Sequence, residues 1–295
     1  MKTMYFFLIG LLCFYLCGYA GEKRALIVAI SQYPKHSEWN TINADNDAEI
    51  LVASLEKKGF SGKNITLLRD STATKKNVVA AFKSLQKSVK TGDFVFIHFS
   101  CHGQQMEDDN GDEPDGLDEA IVCYDAKMKY SDNYKGQNHL RDDEIDSLLL
   151  PIRKKMGESG NLILSMDACH SESSSRGDDG DDVVVRGTAA IFSRPGFKPK
   201  KVVGDSKLPL LQEKGLSPIT ELAACRSGES NYEYKKDDKS YGSLTYSLCK
   251  VWDWHNVLPF FQIWSQEIEQ EMKNIVPFQT PVFRTTLKEH AGANK

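Results

Sequence analysis

The chain has 295 residues, a formal net charge of −4 and a sequence pI of about 6.0. Its 40% hydrophobic content is enough for one large core, and nothing in it argues for two. A mildly acidic chain is a poor candidate for general nucleic-acid binding, so none is expected.

Residues 1–20 carry Lys2, an apolar run from Met4 to Leu16 and a small-x-small end at Gly18-Tyr19-Ala20. That is the pattern of a secretory signal peptide, with the mature chain starting at Gly21. The run is short for a membrane span. Leu16 before Cys17 disfavours lipidation, so the expectation is a secreted or periplasmic protein with no membrane attachment after cleavage. Losing Lys2 takes the charge to about −5. Cys13 and Cys17 leave with the segment. The remaining Cys101, Cys123, Cys169, Cys225 and Cys249 are odd in number and too sparse for a disulfide scaffold, so at least one free thiol is expected.

In the mature chain, Arg24–Ile30 reads as a strand and Asp45–Lys58 as a helix with Ile50, Leu51 and Leu55 inward. Ile65–Leu68 is a second short strand. Thr74 caps a helix that buries Val78, Val79, Phe82 and Leu85 and closes at Gly92. Phe94–Ile97 is a third strand, leading into His98-Phe99-Ser100-Cys101-His102-Gly103. An acidic Gly-containing loop over 107–118 and a hairpin strand near Ala120–Cys123 follow. Asp142–Leu150 reads as a helix, and Leu162–Leu164 as the strand that ends in Asp167-Ala168-Cys169-His170-Ser171. Residues 171–216 form a long irregular connection, of a length usual for functional loops. Ile219–Ala224 reads as a fifth strand, Gly242–Trp252 and Pro259–Met272 as helices, and Phe278–Arg284 as a last strand. Alternation of strand and helix implies right-handed crossovers and an open, mostly parallel sheet with helices on both faces, an α/β fold.

Both polar clusters leave the carboxyl ends of buried strands, where ligands bind in such sheets. A His on one strand end can face a Cys on another. Only a thiolate attacks a carbonyl, and a thiol of ordinary pKa, about 8.5, needs a neighbouring base at neutral pH. Cys169 is therefore the expected nucleophile and His102 its base. Gly103 and Cys169 lie in tight strand-end turns, so their backbone N–H groups are the natural oxyanion donors.

His98–Gly103, then Gly111-Asp112-Glu113-Pro114-Asp115-Gly116-Leu117-Asp118-Glu119, then Asp167–Ser171 together resemble the motif set of metacaspases, the caspase-like cysteine peptidases outside animals. Gly242-Ser243-Leu244-Thr245-Tyr246 resembles their small-subunit helix start. The resemblance implies one caspase-like peptidase domain over residues 21–295 and a peptide or protein substrate with Arg or Lys before the cut. Position by position it puts the basic-residue pocket on Asp47, Ser100 and Asp167, and two carboxylates and a hydroxyl suit such a cation. It also implies calcium, with ligands at Asp118, Asp142 and Asp143; no organic cofactor is expected. The fourth ligand's spacing falls on Arg176, which weakens the site. Asp108-Asp109-Asn110-Gly111-Asp112 resembles an EF-hand loop with its twelfth-position Glu misplaced. Cys101 replaces a Gly of the family and Glu172 a small residue, whereas His139 and His170 read as ordinary polar residues. The rival expectation is a catalytically silent, calcium-stabilised binding module of the same fold. An enzyme selective for basic residues would find cleavable sites in its own loop. Arg176, Arg186, Lys200 and Lys201 are the candidates, while Pro195 and Pro199 disfavour Arg194 and Lys198.

Overall fold

The structure, a computed structural model, describes residues 21–169, 184–200, 210–255 and 261–287. The proposed signal segment and residues His170, Glu172, Arg176 and Lys201 lie outside the described residues. Among the described residues no helix is long and apolar enough to cross a membrane.

Six strands build the main sheet: β1 (Lys23–Ala29), β2 (Ile65–Arg69), β3 (Phe94–Ser100), β7 (Asn161–Asp167), β8 (Ile219–Ala223) and β11 (Val282–Thr285). Their order is β11-β8-β7-β3-β1-β2, parallel throughout except for β11, which runs antiparallel to β8. All seven residues of β3 and of β7 are buried, as continuous apolar runs in a sheet covered on both faces require. Alternation then divides the side chains. Val95, Ile97 and Phe99 of β3 face α2 (Lys75–Ser88) and α3 (Asp142–Met156) through Phe82, Ile145 and Ile152. Phe94 and Phe96 face α1 (Ala44–Lys57), α4 (Ser243–Trp254) and α5 (Phe261–Ile275) through Leu55, Leu248, Trp252 and Ile268. Each such side chain contributes about 1.5–3 kcal/mol by leaving water.

A three-stranded antiparallel sheet of β4 (Gly103–Glu107), β5 (Leu117–Val122) and β6 (His139–Arg141) branches off after β3. The hairpin β9 (Glu233–Lys236) and β10 (Lys239–Gly242) precedes α4. The α/β fold with helices on both faces therefore stands, with two corrections. The helix expected to stop before Pro151 continues to Met156: proline forfeits one N–H there, while Ile152 and Met156 beyond it are fully buried. The described residues of the 171–216 connection form isolated bridges and no strand or helix, in keeping with the irregular connection expected. Val185 bridges Tyr232, and Phe192 bridges Met106 and packs among Tyr134 and Ala120. His139 is a fully buried structural group, its ring nitrogens 3.0 Å from Gln104 Oε1 and 3.1 Å from Tyr134 Oη.

Candidate active site

The register Ser100↔Asp167 aligns the carboxyl ends of β3 and β7, so the residues two beyond each end, His102 and Cys169, leave the sheet edge side by side. His102 is buried. Its ring stacks on Trp39 at a centroid distance of 5.0 Å, and Nε2 lies 2.9 Å from the Asn40 carbonyl oxygen. A carbonyl can only accept, so Nε2 carries the proton and donates. Nδ1 is then the lone-pair nitrogen, and it is buried with no hydrogen-bond partner. Burial, opposed by the Asn40 bond, lowers the His102 pKa to about 4. The imidazole is neutral at pH 7, in the tautomer a base requires.

Cys169 is fully buried, and its Sγ lies 2.8 Å from the Glu229 carbonyl oxygen. Its backbone N–H donates to the carbonyl oxygen of Arg186 at 2.7 Å. Gly187 follows. A Cβ there would stand 2.5 Å from the Cys169 carbonyl oxygen, so only glycine lets the chain pass this close. Gly103 is the first residue of β4, paired with Ile121, and is buried. Among the described residues, Cys101, Cys123, Cys169, Cys225 and Cys249 form no disulfide. Cys101 points into the core on the α2–α3 face, where burial raises its pKa to about 12, so it is an inert packing residue.

Asp47, Ser100 and Asp167 come together, all fully buried, around the guanidinium of Arg186, itself fully buried. Nη1 of Arg186 lies 2.7 Å from Asp47 Oδ2, 2.8 Å from Ser100 Oγ and 3.8 Å from Asp167 Oδ1. Ser100 Oγ also donates to Asp47 Oδ2 at 2.7 Å. Asp167 accepts from Asn231 Nδ2 at 2.8 Å, from the Thr245 N–H at 2.7 Å and from Thr245 Oγ1 at 2.6 Å. Burial raises the Asp47 pKa to about 6 against the pull of Arg186. Burial also works against the Arg186 charge, yet Asp47, Asp167 and Glu233 together hold its pKa above the ordinary arginine value.

Of these elements, β3 and β7 were readable in the sequence, but the pocket also needs residues the sequence reading missed. Glu233 Oε1 accepts from Nη2 of Arg186 at 2.8 Å, and the Asn40 carbonyl orients the His102 ring. Gly242 donates its N–H to Asp47 Oδ1 at 2.9 Å. A Cβ on Gly242 would collide with Asp167 Oδ2 and Arg186 Nη1. The segment 184–186 lies along 231–233 like an added strand. Arg186 N–H donates to the Asn231 carbonyl at 2.9 Å, and Glu233 N–H to the Val184 carbonyl at 3.0 Å.

Among the expected calcium ligands, Asp118 gathers with different partners. Carboxylate oxygens of Asp108, Asp112 and Asp118 lie within 4.8 Å of one another. Asp143 stands one bond away, accepting from Asn110 Nδ2 at 2.5 Å, and Asp142 Oδ1 accepts from the Asp143 N–H at 3.2 Å. Asp118 is buried, with Oδ1 lacking any hydrogen-bond partner, while Oδ2 is paired with Arg141. Lys200 is exposed, and its backbone N–H donates to the Asp115 carbonyl oxygen at 2.9 Å.

The model of the metacaspase, peptidase C14 domain family matches residues 23–175, just over half of the chain. Metacaspase III c of Phaeodactylum tricornutum is 33% identical over 157 residues, 51% of this chain and 43% of that protein. Metacaspase-1A of Aspergillus oryzae is 30% identical over 239 residues, 76% of this chain and 52% of that protein. The chain thus spans about half or less of the length of these relatives. Protein GSU0716 from Geobacter sulfurreducens, a crystal structure, superposes with a TM-score of 0.61 at 23% identity, covering 93% of this chain and 97% of its own, and shows the fold alone. With that family model matching more than half of its residues, the chain belongs to the metacaspase peptidase family.

Proposed function

We propose that the protein is a cysteine endopeptidase that cleaves after Arg or Lys through Cys169 and His102, and that the Arg186–Gly187 bond is its own first substrate. One observation carries this reading: the Arg186 side chain fills the Asp47–Ser100–Asp167 pocket while its carbonyl oxygen accepts from the Cys169 N–H at 2.7 Å. A cation in the selectivity pocket and a carbonyl on the nucleophile's amide are the two contacts a bound substrate must make at once.

The chemistry follows from the same atoms. His102 Nδ1 takes the Cys169 thiol proton, which otherwise faces the Glu229 carbonyl, and the thiolate attacks the carbonyl carbon. The oxygen gathers negative charge against the Cys169 N–H, with Gly103 the second backbone donor assigned to it. Collapse breaks the C–N bond, the leaving amine takes the proton from His102, and water attacking the thioester, with His102 again as base, releases the acid. The intact tautomer of His102 and the filled pocket support an enzyme over a silent binding module.

The reading is tested by purifying the wild-type chain and Cys169→Ala in parallel and comparing intact masses. Fragments ending at Arg186, present in wild type and missing from Cys169→Ala, are expected. The same fragments in both proteins, or an uncut chain in both, would discard self-cleavage, and a peptide library in which Asp rather than Arg or Lys precedes the cut would discard the pocket assignment.

Calcium belongs to the same proposal. Asp108, Asp112 and Asp118 offer hard oxygen ligands, and the orphaned Asp118 Oδ1 is a buried carboxylate atom without a partner. A bound divalent cation would neutralise the mutual repulsion that, with burial, raises the Glu113 pKa to about 7. Asp143 would act at one remove through Asn110, and Asp142 accepts from the Asp143 N–H. Secretion rests on the N-terminal sequence pattern; the N-terminal residue of the exported protein, expected to be Gly21, checks it.

A further inference from the structure

We infer that Glu233 makes this pocket selective for arginine over lysine. The inference rests on the proposed function and sharpens it. Asp47, Ser100 and Asp167 alone would serve either cation, because they gather around a single terminal nitrogen, Nη1. Glu233 addresses the other side of the guanidinium. One oxygen, Oε1, accepts from Nη2 at 2.8 Å and from Nε at 3.1 Å. Nε belongs to the interior of the arginine side chain, where lysine has only methylenes, so an ammonium cannot hold Glu233 and the Asp47–Ser100 side together.

The carboxylate is also prevented from moving to follow a lysine. Asn43, which precedes α1, donates its backbone N–H to Oε1 at 2.7 Å and its Nδ2 to Oε2 at 2.5 Å. The Glu233 backbone is fixed as well, since its N–H bonds the Val184 carbonyl and β9 pairs with β10. The Glu233 side chain is 2% exposed. A lysine in this pocket would therefore leave a buried carboxylate without its cation, and a site built around hydrogen bonds discriminates most strongly against the analogue that lacks them.

The first measurement compares peptides differing only in Arg or Lys before the cut, using wild type, Glu233→Gln and Glu233→Asp. Wild type is expected to prefer Arg by roughly 10–100-fold in kcat/KM, the scale of charge-assisted hydrogen bonds lost in a buried site. Both variants should lose most of that preference, chiefly by losing Arg turnover, and Glu233→Gln should also relieve the penalty on Lys. An Arg-to-Lys ratio the same in the variants as in wild type would overturn the inference.

The second needs no turnover. In the Cys169→Ala chain, Arg186→Lys is expected to lower the melting temperature by at least about 3 °C, and by less than half as much when combined with Glu233→Gln. Equal shifts in the two backgrounds would overturn the inference through this route. Wild type cleaving neither peptide, together with the expected melting pattern, would instead sink the proposed function and leave the Glu233–arginine pairing standing.

Discussion

Two acidic regions of this chain share a composition and differ in how much of it is buried. Around Arg186, three carboxylates sit on the ends of β7 and β9 and on the first turn of α1, buried and matched by one guanidinium and a set of backbone and side-chain donors. In the 107–118 loop, Asp109 and Asp112 are exposed, Glu107, Asp108, Glu113 and Asp115 half-buried and Asp118 buried, and the loop holds its own turn, with Asp108 Oδ1 accepting from the Asn110 and Gly111 N–H groups at 2.9 and 2.7 Å. The difference teaches that an acidic stretch in a sequence says little until its burial is known. Buried carboxylates demand a specific cation, whereas solvated ones are satisfied by water and turn amides.

The sharpest way to break the comparison is at the chemistry beside the first region. Cys169→Ala and His102→Ala should each reduce cleavage of an Arg peptide by at least about 10³-fold, and the double variant by no more than the worse single one, because nucleophile and base act as a unit. Residual turnover well above a mock-purified control would remove the pair.

Next in size is the contrast in stability. In the Cys169→Ala background, Asp47→Asn or Asp167→Asn leaves the buried guanidinium short of a partner and should destabilise the uncut chain by about 3–5 kcal/mol. Asp112→Asn in the loop should stay within about 0.5 kcal/mol in calcium-free buffer. Equal losses in denaturant titrations would mean that burial does not separate the two regions.

The pH dependence sharpens it further. Asp47 has a raised pKa of about 6, so its charge is present above that value and lost as pH falls through it. His102 has a lowered pKa of about 4, so it remains a neutral base well below pH 6. KM for Arg peptides should rise as pH drops through about 6, and kcat should fall only nearer 4. A single acid limb shared by kcat and KM would contradict this separation of pocket from base.

The smallest effect belongs to the loop. Millimolar calcium, roughly the affinity of extracellular sites, should raise the melting temperature by a few degrees, and Asp118→Asn should abolish the rise. Superimposable melting curves with calcium and with chelator would reduce the loop to a solvated turn.

What the sequence disclosed follows the same physics. The strands β3 and β7 were legible because Phe94–Ile97 and Leu162–Leu164 are continuous apolar runs, and His102 and Cys169 stood out at their ends. Asp47, Ser100 and Asp167 could be placed only by family resemblance, since nothing in Asn46-Asp47-Ala48 distinguishes a pocket acid from a helix-start acid. Glu233 was missed because Glu233-Tyr234-Lys235-Lys236 is a short polar edge strand, without the apolar alternation that marks a buried one; Asp237-Asp238, with Asp237 at φ 54, was the available hairpin signal. Gly103–Glu107 escaped for the same reason. Asn40 was invisible in principle: it acts through its backbone carbonyl, which every residue type possesses.

The strand-like pairing of 184–186 with 231–233 carries a further consequence for how the enzyme would be switched on. Arg186 remains joined to Cys169 through residues 170–183 after a cut at Arg186–Gly187, so the product competes for the pocket as a tethered ligand. Such a tether acts like a ligand at about millimolar concentration. An outside substrate of ordinary affinity would be held off by an occupant that never diffuses away. One cut would give a nicked but occluded protein, and a lag before full turnover. Release would require a second break between Cys169 and Val184, where Arg176 supplies a basic residue. Activation would then be a two-step clock, with the first cleavage loading the inhibitor's carboxylate end and the second letting it go.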